Sequence, residues 1–148
     1  MKIISHRGNL NGKNISHENT IYSINAALDQ GFDVEIDIWF VNNQFFLGHD
    51  KPLIKIDIFK FFDKRLWLHA KNLEAFSELQ KKKLPNYFWH ENDKATLVSN
   101  GILWIYPGYY LNNKRCIFVL PELHNVDLSM YEIYGICTDN PIKFKNFK

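Results

Sequence analysis

Apolar and polar positions alternate in blocks along this chain, and the period of each block predicts its element. Residues 2–5 (Lys-Ile-Ile-Ser) read as a short buried strand, and the polar stretch 9–17, with Asn9, Asn11, Gly12, Asn14 and Ser16, reads as a loop. A helix is expected from Ser16 or His17, because Ile21, Ile24, Ala27 and Leu28 recur at helical spacing and Gly31 ends the run. Val34, Ile36 and Ile38 alternate with Glu35, Asp37 and Trp39, which is the period of a strand. Asn42-Asn43 signals a turn, and residues 45–47 return as a second short strand. Residues 54–62 suggest a helix, 66–70 a strand, and Leu73, Phe76 and Leu79 a helical stripe that ends at Lys81-Lys82-Lys83.

After Pro85 the pattern changes. Apolar runs at 87–89, 95–98, 102–106, 116–120 and 134–137 follow one another quickly, punctuated by Gly101, Pro107-Gly108, Asn112-Asn113 and Pro121. With 45–47 treated as an excursion, the runs amount to about eight strands, and the strand–helix alternation of the first half favours a parallel sheet. The expected fold is therefore α/β: a compact (β/α)8 TIM-type barrel, one domain over residues 1–148. A typical barrel needs about 250 residues, so several outer helices are expected to be missing or shortened, mostly after residue 85.

Composition narrows this only slightly. With 46% hydrophobic and 23% charged residues the chain is globular rather than disordered. A net charge of +2 does not call for a nucleic-acid partner. No apolar run approaches the roughly 18 residues of a membrane span, and Met1-Lys2-Ile3-Ile4 reads as a strand start rather than a signal peptide, so a cytoplasmic protein is expected. Cys116 and Cys137 make neither a disulfide framework nor a metal cluster and are expected to be small buried residues. A barrel short of outer helices would expose apolar surface, which makes a homo-oligomer an expected partner state.

Ionisable residues gather at the ends of the predicted strands: His6 and Arg7, then Glu35 and Asp37, then His49 and Asp50, then His69 and Lys71. In a parallel barrel those ends share the rim that carries active sites. Glu35 and Asp37 lie two apart on a strand and point the same way, and paired carboxylates repel unless a cation sits between them. Their hard oxygens suit Mg²⁺ or Ca²⁺. Arg7 and Lys71 suit phosphate oxygens, and two histidines suit general acid–base catalysis. Together these parts describe displacement at the phosphorus of a phosphodiester.

Those residues also carry a resemblance. Ile4-Ser5-His6-Arg7-Gly8, Glu18-Asn19-Thr20, Val34-Glu35-Ile36-Asp37 and Gly48-His49-Asp50, with Gly135-Ile136-Cys137-Thr138-Asp139-Asn140-Pro141 near the end, resemble the glycerophosphodiester phosphodiesterase family. The resemblance implies a (β/α)8 barrel and a phosphoric diester hydrolase of lipid metabolism acting on a small glycerophosphodiester. It implies His6 and His49 as the acid–base pair, Arg7 and Lys71 as phosphate ligands, and Glu35 and Asp37 as metal ligands. The family carries Glu-x-Lys on its third strand, whereas this chain has His69-Ala70-Lys71. Three readings stay open: His69 ligates a softer metal such as Mn²⁺ or Zn²⁺, two carboxylates and water hold Mg²⁺ or Ca²⁺, or the metal site is degraded. Glu122 is a further candidate ligand. His17, His90 and His124 have no motif and are expected in packing, although His90 with Glu91 and Asp93 also follows a strand. Glu18 and Asn19 suit a helix start, and Asn19 is placed to touch the site. Trp104, Tyr106, Tyr109 and Tyr110 read as core and loop packing, or as a wall for an alcohol or sugar group. The competing function is a module that binds phosphate or a phosphosugar without turning it over.

Overall fold

The computed structural model describes residues 1–146. Ten strands alternate with few helices: β1 (Lys2–His6), α1 (Ile21–Asp29), β2 (Asp33–Val41), β3 (Gln44–Leu47), β4 (Ile54–Ile56), β5 (Leu66–Ala70), α2 (Leu73–Lys81), β6 (Tyr87–Trp89), β7 (Ala95–Leu97), β8 (Leu103–Ile105), β9 (Cys116–Val119), β10 (Gly135–Thr138) and the one-turn α3 (Pro141–Phe144). All ten strands belong to one strongly curled mixed sheet. Seven run parallel in the order β6, β5, β2, β1, β10, β9, β8. β7 pairs antiparallel with β8, while β3 pairs antiparallel with residues 38–41 of β2 and β4 with β3. The curl brings the two ends of this run together: Ser99 N–H donates to the Tyr87 carbonyl at 2.9 Å and Thr96 Oγ1 to the Trp89 carbonyl at 3.0 Å.

This corrects the expected (β/α)8 TIM-type barrel, which would alternate eight strands with eight helices. Among the described residues only α1 and α2 link neighbouring parallel strands, and β3, β4 and β7 pair antiparallel. Past residue 85 the connections between the described strands carry no α-helix, and the longest of them, between β9 and β10, uses 3-10 turns at Pro121–His124 and Leu128–Met130 instead. The helix expected over 54–62 is also replaced, by β4 and a 3-10 turn at Ile58–Phe61 whose Asp57 cap accepts the Phe59 N–H at 3.1 Å. α1 begins later than expected, at Ile21, behind a capping box between Thr20 and Ser23.

The apolar residues divide into three layers. Ile4, Trp67, Phe88, Val98, Trp104, Ile117 and Cys137 fill the inside of the curl. Val34, Ile36, Ile38, Leu66 and Leu68 face outward beneath α1, α2 and the β3–β4 hairpin. Cys116, Phe118 and Ile136 face outward on the other half, where Tyr110, Val126, Tyr131 and Ile133 of the irregular segments cover them in place of helices. Cys116 and Cys137 are both free and buried, as expected.

Because side chains alternate across a strand, each inward-facing column continues upward to a polar residue at the C-terminal end. Ile4 leads to His6, Trp67 to His69 and then Lys71, Phe88 to His90, Trp104 to Tyr106, and Cys137 to Asp139. On β2 the inward positions are themselves acidic: Asp33, Glu35 and Asp37 alternate with the outward Val34, Ile36 and Ile38. The apolar interior thus ends in one layer of ionisable side chains. No helix among the described residues is long and apolar enough to cross a membrane.

Candidate active site

The ionisable layer lines a cavity of about 370 Å³ bounded by His6, Arg7, Glu35, His49, His69 and Lys71 on one side. Trp89, His90, Trp104, Tyr106 and Pro107 form the facing wall. The six catalytic, phosphate-binding and metal candidates on the strand ends therefore share one pocket, with Asp37 beneath its floor and fully buried.

The turn after β1 sets the first two residues. Arg7 and Gly8 both take left-handed backbone conformations, with φ of 54° and 80°. That conformation is uncommon for a residue with a side chain, and it turns the chain sharply so that the guanidinium reaches back over β2. A Cβ on Gly8 would lie 2.6 Å from Ser23 Oγ, so glycine lets this turn press against α1. Arg7 Nη1 donates to Glu18 Oε1 at 3.0 Å, Nε stands 3.1 Å from Asp37 Oδ2, and the backbone N–H donates to Glu35 Oε2 at 3.3 Å. The expected phosphate ligand is thus already held by carboxylates on one edge, and Nη2 is left for the cavity.

Asn19 clamps Asp37 from both sides: its amide donates to Asp37 Oδ2 at 2.8 Å and its carbonyl oxygen accepts the Asp37 N–H at 3.0 Å. On the other oxygen, Oδ1, His69 Nδ1 stands at 3.0 Å and Lys71 Nζ at 3.4 Å. Neither contact has hydrogen-bond geometry, and Asp37 Oδ1 and His69 Nε2 are both buried without a hydrogen-bond partner. Glu35 Oε1 lies 3.8 Å from His69 Nδ1 and Oε2 lies 3.8 Å from His6 Nε2. The ligand atoms of Glu35, Asp37 and His69 all fall within 4.8 Å of one another, and all three residues are buried. Orphaned carboxylate oxygen, imidazole and second carboxylate form a donor set that fits a divalent cation. Burial and the adjacent Asp37 push the Glu35 carboxyl up. Burial also opposes the charge on Asp37, but His69, Lys71 and Arg7 outweigh it and hold that carboxyl well below the usual carboxylate range.

Glu122 does not join this cluster. Its Oε1 accepts Thr138 Oγ1 at 2.7 Å and the Asp139 N–H at 2.9 Å. It holds the end of β10, and through it Asp139, whose Oδ1 pairs with His6 Nδ1 at 2.8 Å and with Asn9 Nδ2 at 2.9 Å. Asp139 is the functional partner that sequence reasoning did not single out, although it sits directly after the last strand. Replacing Glu122 by leucine removes two partly buried hydrogen bonds and is expected to lower unfolding free energy by about 1–3 kcal/mol, read from urea denaturation.

The two histidines differ in surroundings. Burial opposes a proton on His6, but the Asp139 hydrogen bond and the charge of Glu35 outweigh it and raise its pKa. His49 is half-exposed and sits on the loop after β3, which Trp39 Nε1 ties down through the Gly48 carbonyl at 2.6 Å. Partial burial, helped by the charges of Arg7 and Lys71, holds its pKa below the ordinary imidazole value, although Asp37 and its partner Asp50 pull the other way. His90 stacks on His69 with ring centres 4.5 Å apart, and burial, His69 and Lys71 bring its pKa down to about 4. It is in the pocket wall rather than in general packing. Trp104 and Tyr106 belong to the same wall, while Tyr110 packs on Phe118 and Tyr131 in the outer layer. His17 is exposed and touches Asn14, and His124 lies against Gly108.

No protein-family model, curated protein or solved structure matches the chain, so neither the family suggested by its motifs nor a place in lipid metabolism gains support from a relative.

Proposed function

We propose that the chain is a phosphodiesterase for a small, soluble phosphodiester, with a divalent metal held by Glu35, Asp37 and His69. The observation that carries this reading is the convergence of two histidines, two cations and that three-residue donor set on one cavity. At about 370 Å³ the cavity is near the small end of ligand sites, which suits a phosphate with one compact alcohol and not a duplex. Four carboxylates (Glu18, Glu35, Asp37, Asp139) face only Arg7 and Lys71 as permanent cations. An anionic diester is therefore poorly received unless a divalent ion corrects the balance. When bound, such an ion withdraws charge from the phosphoryl oxygens.

The chain's own residues supply the rest. Lys71 and the Nη2 edge of Arg7 hold the non-bridging oxygens. His49, kept neutral, takes the proton of the attacking hydroxyl, from water or from the substrate's own alcohol. His6, kept protonated by Asp139, gives its proton to the leaving alcohol oxygen as the P–O bond breaks. The pocket's aromatic wall faces the departing group. A phosphate-binding module without turnover is the second reading, and the engagement of Arg7 by Glu18 and Asp37 favours it.

Hydrolysis of bis(p-nitrophenyl) phosphate and glycerophosphocholine separates the two. Turnover that EDTA abolishes and a divalent ion restores is the expected result. A folded, metal-loaded protein that binds inorganic phosphate and cleaves neither ester would leave the binding module as the answer.

A further inference from the structure

We propose that the metal site selects a transition ion of the Zn²⁺ type, with Mn²⁺ intermediate, over Mg²⁺ and Ca²⁺, and that His69 sets that choice. This rests on the reading that Glu35, Asp37 and His69 hold the metal.

Three observations carry it. The first is placement. His69 is directly opposite Asp37 in the β2–β5 register, so both side chains enter the curl at the same level. Their facing atoms, Nδ1 and Oδ1, are 3.0 Å apart without forming a hydrogen bond. Bonds of about 2.0–2.2 Å to a small ion place neighbouring ligand atoms about 3.0–3.4 Å apart, whereas Ca²⁺, with bonds of about 2.3–2.6 Å, spreads them further, so the spacing selects a small ion and the donor types choose between Mg²⁺ and a transition ion.

The second is the fixed ring. His69 stacks against two rings of the neighbouring β6 column, Phe88 at 5.1 Å and 6° and His90 at 4.5 Å and 3°, which are themselves 6.0 Å apart and so flank it from the same side. Tyr106 closes edge-on against His90 at 5.5 Å. The far nitrogen, Nε2, has no hydrogen bond, so the stack replaces the outer hydrogen bond that ordinarily orients a metal-binding histidine. An imidazole held this way offers its nitrogen to the carboxylates at no further conformational cost.

The third is the state of Asp37. Asn19 and Arg7 occupy Oδ2, and the amide of Asn19 leaves no freedom to rotate. Oδ1 is left as a buried acceptor without a hydrogen bond, with His69 Nδ1 at 3.0 Å and Lys71 Nζ at 3.4 Å. Mg²⁺ and Ca²⁺ prefer oxygen throughout, and imidazole suits the later transition ions. A pocket built for a hard ion has no use for a stacked imidazole where an oxygen donor would serve.

The order of affinities alone does not decide the matter, because Zn²⁺ outbinds Mn²⁺ at most nitrogen and oxygen sites. The ratio does. Isothermal titration of the full chain with Zn²⁺ and with Mg²⁺, on wild type, His69→Glu and His69→Gln, gives that ratio without any need for turnover. His69→Glu is expected to lower the Zn²⁺-to-Mg²⁺ affinity ratio by about tenfold or more, with Mg²⁺ affinity kept or improved. Electron spin-echo modulation of stoichiometric Mn²⁺ on the wild-type protein is expected to show ¹⁴N coupling that His69→Gln removes, and this second measurement stands even if the glutamate variant folds poorly. An unchanged ratio, or bound Mn²⁺ without nitrogen coupling, overturns the role of His69 while leaving the metal site in place. Failure of every ion to bind overturns the metal site itself, and bound metal without ester hydrolysis overturns only the phosphodiesterase reading.

Discussion

Replacing His6 by alanine is expected to lower kcat on glycerophosphocholine, whose alcohol must be protonated as it leaves, by about 10²–10⁴-fold, with circular dichroism and metal affinity near wild type. The side chain is at the end of β1, its Nδ1 2.8 Å from Asp139 and its Nε2 turned toward Glu35 and the cavity. Removing it deletes the proton donor without emptying the apolar layer below, which Ile4 continues to fill. Asp139→Asn is the companion variant. It keeps the hydrogen bond but removes the charge that favours the imidazolium, so kcat falls while KM stays. Equal losses in kcat and in phosphate affinity would instead make His6 a binding residue.

The pH profile follows from the opposed shifts. His49, with its pKa lowered, becomes a free base at a pH below the ordinary imidazole value of about 6.5. His6, with its pKa raised, keeps its proton to a pH above that value. Activity should therefore rise with pH through the His49 pKa, level off near 6.5, and fall through the His6 pKa. Were the roles exchanged, the two required forms would coexist only in a small fraction of molecules, and kcat/KM would peak sharply at a low value. His6→Ala should erase the alkaline limb and leave the acid one. A surviving alkaline limb in that variant would assign it to another group.

The grouping of the candidate site residues was largely legible in the sequence because they sit at strand ends whose period is local. Val34-Glu35-Ile36-Asp37 shows its two faces within four residues, and His69 follows Trp67 by the same step of two. The hydrogen bond between His6 and Asp139 spans 133 residues, and no local pattern marks it; only the parallel pairing of β1 with β10 brings the two together. The same limit explains Glu122, whose position after β9 looked like the rim but whose carboxylate is spent on Thr138 and the Asp139 N–H. The architecture was less legible. Strand counting predicted a compact (β/α)8 barrel with several helices missing because period-two runs do not reveal whether neighbours pair parallel or antiparallel, so β7 was counted as a barrel strand, while β3 was set aside as an excursion and β4 was read as part of a helix. Residues 54–62 look helical by apolar content, yet Ile54, Ile56 and Ile58 also fit a strand that Asp57 then converts into a 3-10 turn.

The largest effect on stability is expected at Trp67. Its ring is 1% exposed and contacts Trp104 and Tyr134 at centroid distances of 5.8 and 6.2 Å, at the middle of the layer inside the curl. Its Nε1 donates to Asp33 Oδ2 at 3.0 Å, and Lys2 Nζ holds the other oxygen at 2.9 Å. Trp67→Ala should therefore cost about 3–5 kcal/mol of unfolding free energy, the large-to-small cost of a core aromatic. With a urea slope of about 1–3 kcal/mol per molar for a small protein, the midpoint should fall by roughly 2 M. Trp67→Phe keeps most of the volume and loses only the indole donor, so about 1–2 kcal/mol is expected. The gap between the two variants measures the cavity alone. Trp67 also lies two residues below His69 on the same inward column, directly under the stack that orients the imidazole. Under conditions where Trp67→Ala is still folded, Zn²⁺ affinity should fall with it, because a floor that collapses into the cavity no longer supports the ring above. A loss of stability with metal affinity unchanged would show that Phe88 and His90 hold His69 without help from the layer beneath.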